Sequence, residues 1–595
     1  MDDGGIAVNA SAAEKQAPAA SAQAASGHQD TGQDTGVAGD LDRLIHAFEG
    51  HVTGSVSPTI ISLALADWLM HLGNAPGKRL DLAIKAWEAS LETVADTGRL
   101  SFGEEVEGRR RDARFAALDW NSSPFSLLRN TYLRWEDWWQ EACSGIAGVK
   151  SSHERVVSFM MRQLLEACSP ANYPLSNPEI VRATVDSNGA NLMRGLSNLL
   201  EDVRGLQNAT PAKPALKAGK DLAVTPGRVV FRNEMIELIQ YAPTTDTVCA
   251  EPILLIPAWI MKYYILDLAP QNSLVRYLVG QGHTVFMISW RNPGPDQRHW
   301  GMEDYRVSGI SAALDAIGEI VPGRAVHACG YCLGGTLLAI EAARLARDGD
   351  PRLATLSFFA AQTDFTEAGE IKVFTSEDQV AFLDDITWQR GYLDGAEMAG
   401  AFQLLRPGDL IWARMVRQYF LGERDGGTDL TSWNSDLTRL PHRMHAEYLR
   451  RLFVNNELAQ GHFLVDGRPV ALSDIRQPVF AVGTETDHIA PWRSVYKIKL
   501  LSRAQVTFVL TKGGHNAGIV SEPGHAHRHF RLEVAGPEDR FVDPDSWYER
   551  TAIHEGSWWP AWVDWLREHS SEDDIPARAV RPGLCAAPGT YVLGA

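Results

Sequence analysis

Val326-His327-Ala328-Cys329-Gly330-Tyr331-Cys332-Leu333-Gly334-Gly335-Thr336-Leu337 is the stretch whose reading decides the fold. It passes from a strand-like run through a turn into a helical run. Its core is Gly-x-Cys-x-Gly, with Cys332 at the apex of the turn. Side chains two residues before and after that apex would collide with the neighbouring strand and helix, and Gly330 and Gly334 remove them. The helix that follows presents free N–H groups and the positive end of its dipole, which favour a thiolate and an oxyanion. Two plainer readings compete. Cys329 and Cys332 form a Cys-x-x-Cys, which could be a redox pair. A strand-end cysteine can also be a small buried hydrophobe without chemistry. Cys329 belongs to the strand and is expected to point away from Cys332.

The sequence downstream favours a nucleophile. The strand-like Pro478-Val479-Phe480-Ala481-Val482 leads into Gly483-Thr484-Glu485-Thr486-Asp487-His488. The next, Val506-Thr507-Phe508-Val509-Leu510, leads into Gly513-Gly514-His515-Asn516. Nucleophile, acid and histidine each follow a strand, in the order of the α/β-hydrolase fold. The 28 residues from Asp487 to His515 leave room for one helix and one strand. Cys332, Asp487 and His515 are therefore the expected triad. Asp487 could instead cap the helix after it. Glu485 is an alternative acid. His488 is an alternative base, poorly placed in the order rule.

Further strand-like runs lie at 229–231, 253–256, 284–289, 325–328 and 354–359, with helical stretches such as 336–347 between them. Continuous apolar runs of this length suit parallel strands covered on both faces. The α/β domain is expected over 220–570. A long section without strands, about 365–470, reads as an inserted cap or lid. Residues 41–215 carry apolar residues at spacings of three and four, as over 41–48, 81–97, 154–168 and 191–206, and predict a helical N-terminal domain. Residues 1–40 are rich in Ala, Gly, Gln, Ser and Asp and read as a disordered tail. Residues 571–595 read as a C-terminal tail.

The 595 residues carry a formal net charge of -18, which disfavours nucleic acid as a partner. Six cysteines imply no disulfide framework. The start lacks a secretory signal and no apolar run reaches membrane-spanning length, so a cytoplasmic location is expected. No phosphate loop or dinucleotide fingerprint appears, and no cofactor is expected. The alternating histidines His525, His527 and His529 are read as a loop rather than a metal site. His442 and His445, three apart, are expected on a helix surface. Trp558, Trp559, Trp562 and Trp565 are expected to be packing residues.

With these residues in hand, the chain resembles the polyhydroxyalkanoate synthases, in particular the long single-subunit class I kind. The resemblance runs from about Arg114 to the C-terminus. It includes Ser169-Pro170-Ala171-Asn172-Tyr173, Lys262-Tyr263-Tyr264-Ile265-Leu266-Asp267-Leu268 and Ser289-Trp290-Arg291-Asn292-Pro293. Leu404-Leu405-Arg406-Pro407-Gly408-Asp409-Leu410-Ile411-Trp412, Trp433-Asn434 and Gly556-Ser557-Trp558-Trp559-Pro560 extend it. Tyr331 stands where the family often has Phe, and Gly514-His515-Asn516 departs from the common Gly-His-Ile. Pro257-Ala258-Trp259-Ile260-Met261 is bulkier than the usual oxyanion loop.

The resemblance implies polymerisation of 3-hydroxyacyl-CoA into polyester with release of CoA. Cys332 would carry the growing chain and His515 would act as its base. The backbone N–H groups of Leu333 and Ile260 would hold the oxyanion. Asp487 would either orient His515 or assist the attacking 3-hydroxyl. The implied partners are the polyester granule, granule-associated proteins and a second copy of the chain. Trp433 and Asn434 of the cap are candidates for the dimer contact. A thioesterase or ester hydrolase on the same triad, and a catalytically idle granule-associated scaffold, are the alternatives.

Overall fold

The computed structural model describes residues 45–594, apart from 47–48, 51–54, 103–107, 109–110, 208–215, 425 and 572–573. The tail read over 1–40, and most of the helix expected over 41–48, lie outside the described residues.

Residues 58–207 form helices α1 (Pro58–Gly73), α2 (Pro76–Ser101), α3 (Phe125–Ala142), α4 (Ser151–Ala167), α5 (Pro178–Asp186) and α6 (Ala190–Gln207). Local chemistry sets their ends. Asn177 accepts the Glu179 N–H at 2.9 Å, and Pro178 opens α5 where no N–H is needed.

Eleven strands form one sheet. In chain order they are β1 (Gly227–Arg232), β2 (Ile236–Tyr241), β3 (Ile253–Ile256), β4 (Val285–Trp290), β5 (Val326–Tyr331), β6 (Leu353–Phe359), β7 (Val479–Thr484), β8 (Val506–Thr511), β9 (His529–Ala535), β10 (Ile553–Glu555) and β11 (Cys585–Ala586). The spatial order is β10-β9-β8-β7-β6-β5-β3-β4-β2-β1-β11. The central run β4-β3-β5-β6-β7-β8 is parallel, and both flanks are antiparallel. β3 to β8 are the apolar runs read from the sequence, shifted at their ends by up to three residues. The central strands are buried on both faces, by helices such as α7 (Leu333–Asp348) on one side and α11 (Trp559–Glu568) on the other. Trp558 and Trp562 pack edge-on against Phe359, as their expected packing role requires.

Four strands, β2, β9, β10 and β11, were not evident in the sequence. β2 reads Ile-Glu-Leu-Ile-Gln-Tyr, and its polar residues break the apolar run, yet all six residues are buried. Buried Glu237 accepts the N–H groups of Thr590 and Tyr591 at 2.8 and 3.0 Å, and Gln240 accepts the Arg581 N–H at 3.0 Å. The same contacts correct the reading of 571–595 as a tail. β11 pairs antiparallel with β1, and the buried Lys262 ammonium donates to the Val592 carbonyl at 2.9 Å. At the opposite edge the missed strands are β9, half-exposed beside a histidine-rich loop, and β10, three exposed residues paired with it.

Between β6 and β7 the chain leaves the sheet and builds a helical cap. It includes α8 (Glu377–Arg390), α9 (Gly395–Leu405) and α10 (His442–Tyr448). Ile60, Ala64 and Trp68 of α1 share one core with Val156 and Phe159 of α4 and with Phe374 and Leu405 of the cap.

Candidate active site

Cys332 has φ +53° and ψ −124°, a conformation a non-glycine residue rarely holds. The fold over-determines it. Its N–H donates to the Phe359 carbonyl at 2.9 Å, while α7 starts at the next residue. A Cβ on Gly334 would stand 2.1 Å from the Ile256 carbonyl oxygen, and one on Gly330 would stand 2.3 Å from the Gly335 Cα. Gly335 is a third small residue of the elbow, to which the sequence reading gave no role. Its added Cβ would meet Ala361 at 2.4 Å. Strain held in place by such packing is typical of functional positions.

Cys329 sits in β5, 1% exposed, and burial pushes its thiol well above the usual range. Cys332 is half-buried, opens on a cavity, and neither cysteine forms a disulfide.

Asp487 follows β7 and His515 follows β8, as the order rule requires. His515 Nδ1 lies 2.7 Å from Asp487 Oδ2, and both side chains are buried. The Cys332 side chain lies within hydrogen-bonding reach of the same imidazole. The capping alternative for Asp487 is not realised: the next helix, Trp492–Tyr496, starts after Pro491, and the Asp487 carboxylate instead binds the loop before it. Asp487 Oδ1 accepts the N–H groups of Ile489 and Ala490 at 2.9 Å each, and its Oδ2 also accepts the Thr484 hydroxyl at 3.0 Å. Burial raises the pKa of Asp487, but His515 and these hydrogen bonds outweigh it and hold the carboxyl below its ordinary value. Burial disfavours the His515 imidazolium. The charges of Asp487 and Cys332, with the hydrogen bonds to both, overcome that penalty and raise its pKa well above the ordinary range.

Two departures noted in the sequence meet here. The Tyr331 hydroxyl donates to Asn516 Oδ1 at 2.5 Å, tying the elbow to the histidine loop. Leu333, at the start of α7, and Ile260, in the loop after β3, line the cavity beside Cys332. That loop is braced. The Trp290 indole donates to the Pro257 carbonyl at 2.8 Å, and the Thr438 hydroxyl of the cap donates to the Trp259 carbonyl at 3.1 Å.

The alternatives lie apart from this arrangement. Glu485 faces His529 at 3.4 Å, and His488 is half-buried with its pKa lowered mainly by burial. His525 pairs with Glu522 at 2.8 Å. Among the described residues no three metal-ligating side chains converge.

Cap residues including Met398, Phe402, Leu405, Leu440, Tyr448 and Phe453 form much of the cavity wall. His445 is one of them. It is 7% exposed, which corrects its reading as a surface residue. His442, its neighbour one turn earlier, is instead half-buried and lies 2.9 Å from the Thr387 hydroxyl. Spacing alone could not distinguish the two. Trp433 is likewise buried, and its indole donates to the Lys262 carbonyl at 2.7 Å, so its side chain is held within its own chain.

A model of the α/β-hydrolase fold matches residues 251–522. A model described as poly-beta-hydroxybutyrate polymerase N-terminus matches 111–278, and one described as poly-beta-hydroxybutyrate polymerase N terminal matches 37–78. A poly(3-hydroxyalkanoate) polymerase of Methylorubrum extorquens is 43% identical over 490 residues, covering 81% of this chain and 80% of that one. A poly(3-hydroxyalkanoate) polymerase subunit of Rhizobium meliloti is 38% identical, over 85% of this chain and 83% of that one. Its counterpart from Cupriavidus necator is 34% identical, over 91% and 92% respectively.

Proposed function

Since this chain belongs to the poly(3-hydroxyalkanoate) polymerase family, we propose that it polymerises 3-hydroxyacyl-CoA thioesters into polyester, with Cys332 carrying the acyl chain. The observation that carries the assignment of Cys332 is its strained apex position at the cavity, in line with His515 and Asp487.

The Cys332 thiol gives its proton to His515 Nε2, and the sulfur attacks the thioester carbonyl carbon. The oxyanion is held by the N–H groups of Leu333 and Ile260. It collapses to an acyl-enzyme thioester, and CoA leaves as the thiol with the proton returned by His515. The raised basicity of His515 stabilises the imidazolium–thiolate pair that this transfer produces. In elongation, the 3-hydroxyl of one acyl unit attacks the thioester of another. Every oxygen of Asp487 is already engaged, so Asp487 acts through His515 rather than on the hydroxyl directly.

Product analysis after incubation with 3-hydroxybutyryl-CoA tests this reading. CoA with insoluble polyester is expected. CoA with free 3-hydroxybutyrate would mark a hydrolase, and no CoA at all would mark a scaffold.

The proposal includes a homodimer as the active form, through cap residues other than the Trp433 side chain; Asn434 is exposed. Sedimentation of the active enzyme as a monomer would contradict it. It also includes a cytoplasmic location at the granule surface. Leu80, Ile84, Trp87, Leu91 and Val94 recur every four and three residues along α2 and are all exposed. Such an apolar stripe fits contact with polyester. Trp87→Glu combined with Val94→Glu should abolish co-sedimentation with polyester granules, and unchanged co-sedimentation would contradict the assignment.

A further inference from the structure

The cavity over Cys332 is walled mostly by apolar side chains, and four of its polar side chains already have partners. The Thr336 hydroxyl donates to the Gln362 carbonyl at 2.8 Å, and the Gln362 amide donates to the Ile489 carbonyl at 3.1 Å. The Thr375 hydroxyl donates to the Lys372 carbonyl at 3.2 Å. Glu397 pairs with Arg390 at 2.8 Å and accepts the Asp394 N–H at 3.2 Å. His445 differs from these. Its ring forms part of the wall from α10, and its Nδ1 is buried with no hydrogen-bond partner among the described residues. Burial, with a smaller contribution from His442 and Arg450, lowers its pKa to about 4. At neutral pH the imidazole is uncharged and offers one donor and one acceptor.

An unpartnered polar group in an apolar pocket calls for a polar atom on the ligand. In the reaction proposed above, the thioester carbonyl oxygen is occupied by the oxyanion donors. The acyl carbons lie along the apolar wall. The only other polar atom of a 3-hydroxyacyl unit is its 3-hydroxyl. We propose that His445 hydrogen-bonds the 3-hydroxyl of the acyl unit loaded on Cys332, and so selects 3-hydroxyacyl over unsubstituted acyl thioesters. The inference rests on the reading of Cys332 as the acylated nucleophile. Recognition by a hydrogen bond fits the chemistry because an analogue lacking the hydroxyl leaves the site's polar group unpaired.

The test is single-turnover release of CoA from 3-hydroxybutyryl-CoA and from butyryl-CoA, in wild type, His445→Leu, His445→Asn and His445→Gln. The readout is the ratio of the two rates. Wild type should favour the hydroxyacyl substrate, and His445→Leu should lower the ratio by roughly tenfold or more. An amide at this position, in His445→Asn or His445→Gln, should restore part of the ratio. A ratio unchanged in His445→Leu, or rates that fall together for both substrates, would overturn the proposal and leave His445 a packing residue. Cys332→Ala separates the two levels. If it still releases CoA, the reading of Cys332 falls and the role of His445 falls with it.

Discussion

Cys332 and Cys329 are three residues apart in one motif and opposite in character. One is at the strained apex facing the cavity, and the other is sealed in β5. The choice between them was legible because glycines at the second position on either side have a steric meaning that a redox motif does not require. Asp487 shows the converse. The sequence offered helix cap and triad acid as rivals, yet the next helix starts only at Trp492 after Pro491, and the carboxylate instead holds the loop N–H groups of Ile489 and Ala490 with one oxygen and faces His515 with the other. His445 was misjudged because a histidine pair on a helix carries no local signal of which face is covered. The bonding of Asp487 leads to a prediction. In Asp487→Asn, an amide replaces the acceptor facing His515 Nδ1. A thiol is acidic enough to be activated with modest help, but the substrate alcohol needs a competent base. The steady-state rate should fall by roughly 100-fold or more, while the initial burst of CoA falls by less than about tenfold. Rapid-quench measurement of both phases checks this. A burst lost in proportion would show that Asp487 serves acylation equally.

At the scale of elements, the parallel strands were legible because strands covered on both faces are continuously apolar. β2 was not, since Glu237 and Gln240 are satisfied by partners more than 300 residues away. No local pattern reports such pairing. The elbow turns on a contact between elements, α7 against the end of β3 at Gly334 and Ile256. Gly334→Ala would drive a Cβ into the Ile256 carbonyl, and backbone cannot yield as a side-chain tip can. It should destabilise the protein by about 1–3 kcal/mol. Gly318→Ala is the control. Gly318 lies within the helix Ala312–Ile320, and an added Cβ meets nothing within 4 Å. That variant should gain about 0.4–1 kcal/mol. Thermal melts of the two variants check the contrast, and equal melting temperatures would remove the steric account of the elbow.

In the whole molecule, the N-terminal helices are a brace for the cap rather than a separate accessory unit. Gln163 of α4 donates to the Leu404 carbonyl at 2.8 Å, and Asn191 of α6 donates to the Phe420 carbonyl at 2.8 Å. Their amphipathic faces announced that something would be covered, but not that the cover would include Phe374 and Leu405 of the cavity wall. Buried imidazoles contribute to the acid sensitivity of the fold, two of them on the sheet side in addition to His445 in the cap. Burial lowers the pKa of His283 to about 3 and that of His327 to about 4. Both rings stay neutral in the folded chain while the unfolded chain takes up protons below about 6.5. Their contribution is therefore complete above that pH and is lost as pH falls toward 4 and then 3, by at most about 1.4 kcal/mol per pH unit for each ring. His283→Leu, which removes a ring whose two nitrogens have no partner among the described residues, should reduce the drop in melting temperature between pH 7 and pH 5. An undiminished drop would place the acid sensitivity elsewhere. The central claim, that Cys332 carries the acyl chain, is tested most directly by mass spectrometry of peptides from enzyme quenched during turnover of 3-hydroxybutyryl-CoA. A thioester-linked 3-hydroxybutyryl adduct is expected on the peptide containing Cys332, present in Cys329→Ala and absent with all CoA release in Cys332→Ala. An adduct on Cys329, or CoA release that survives Cys332→Ala, would contradict it.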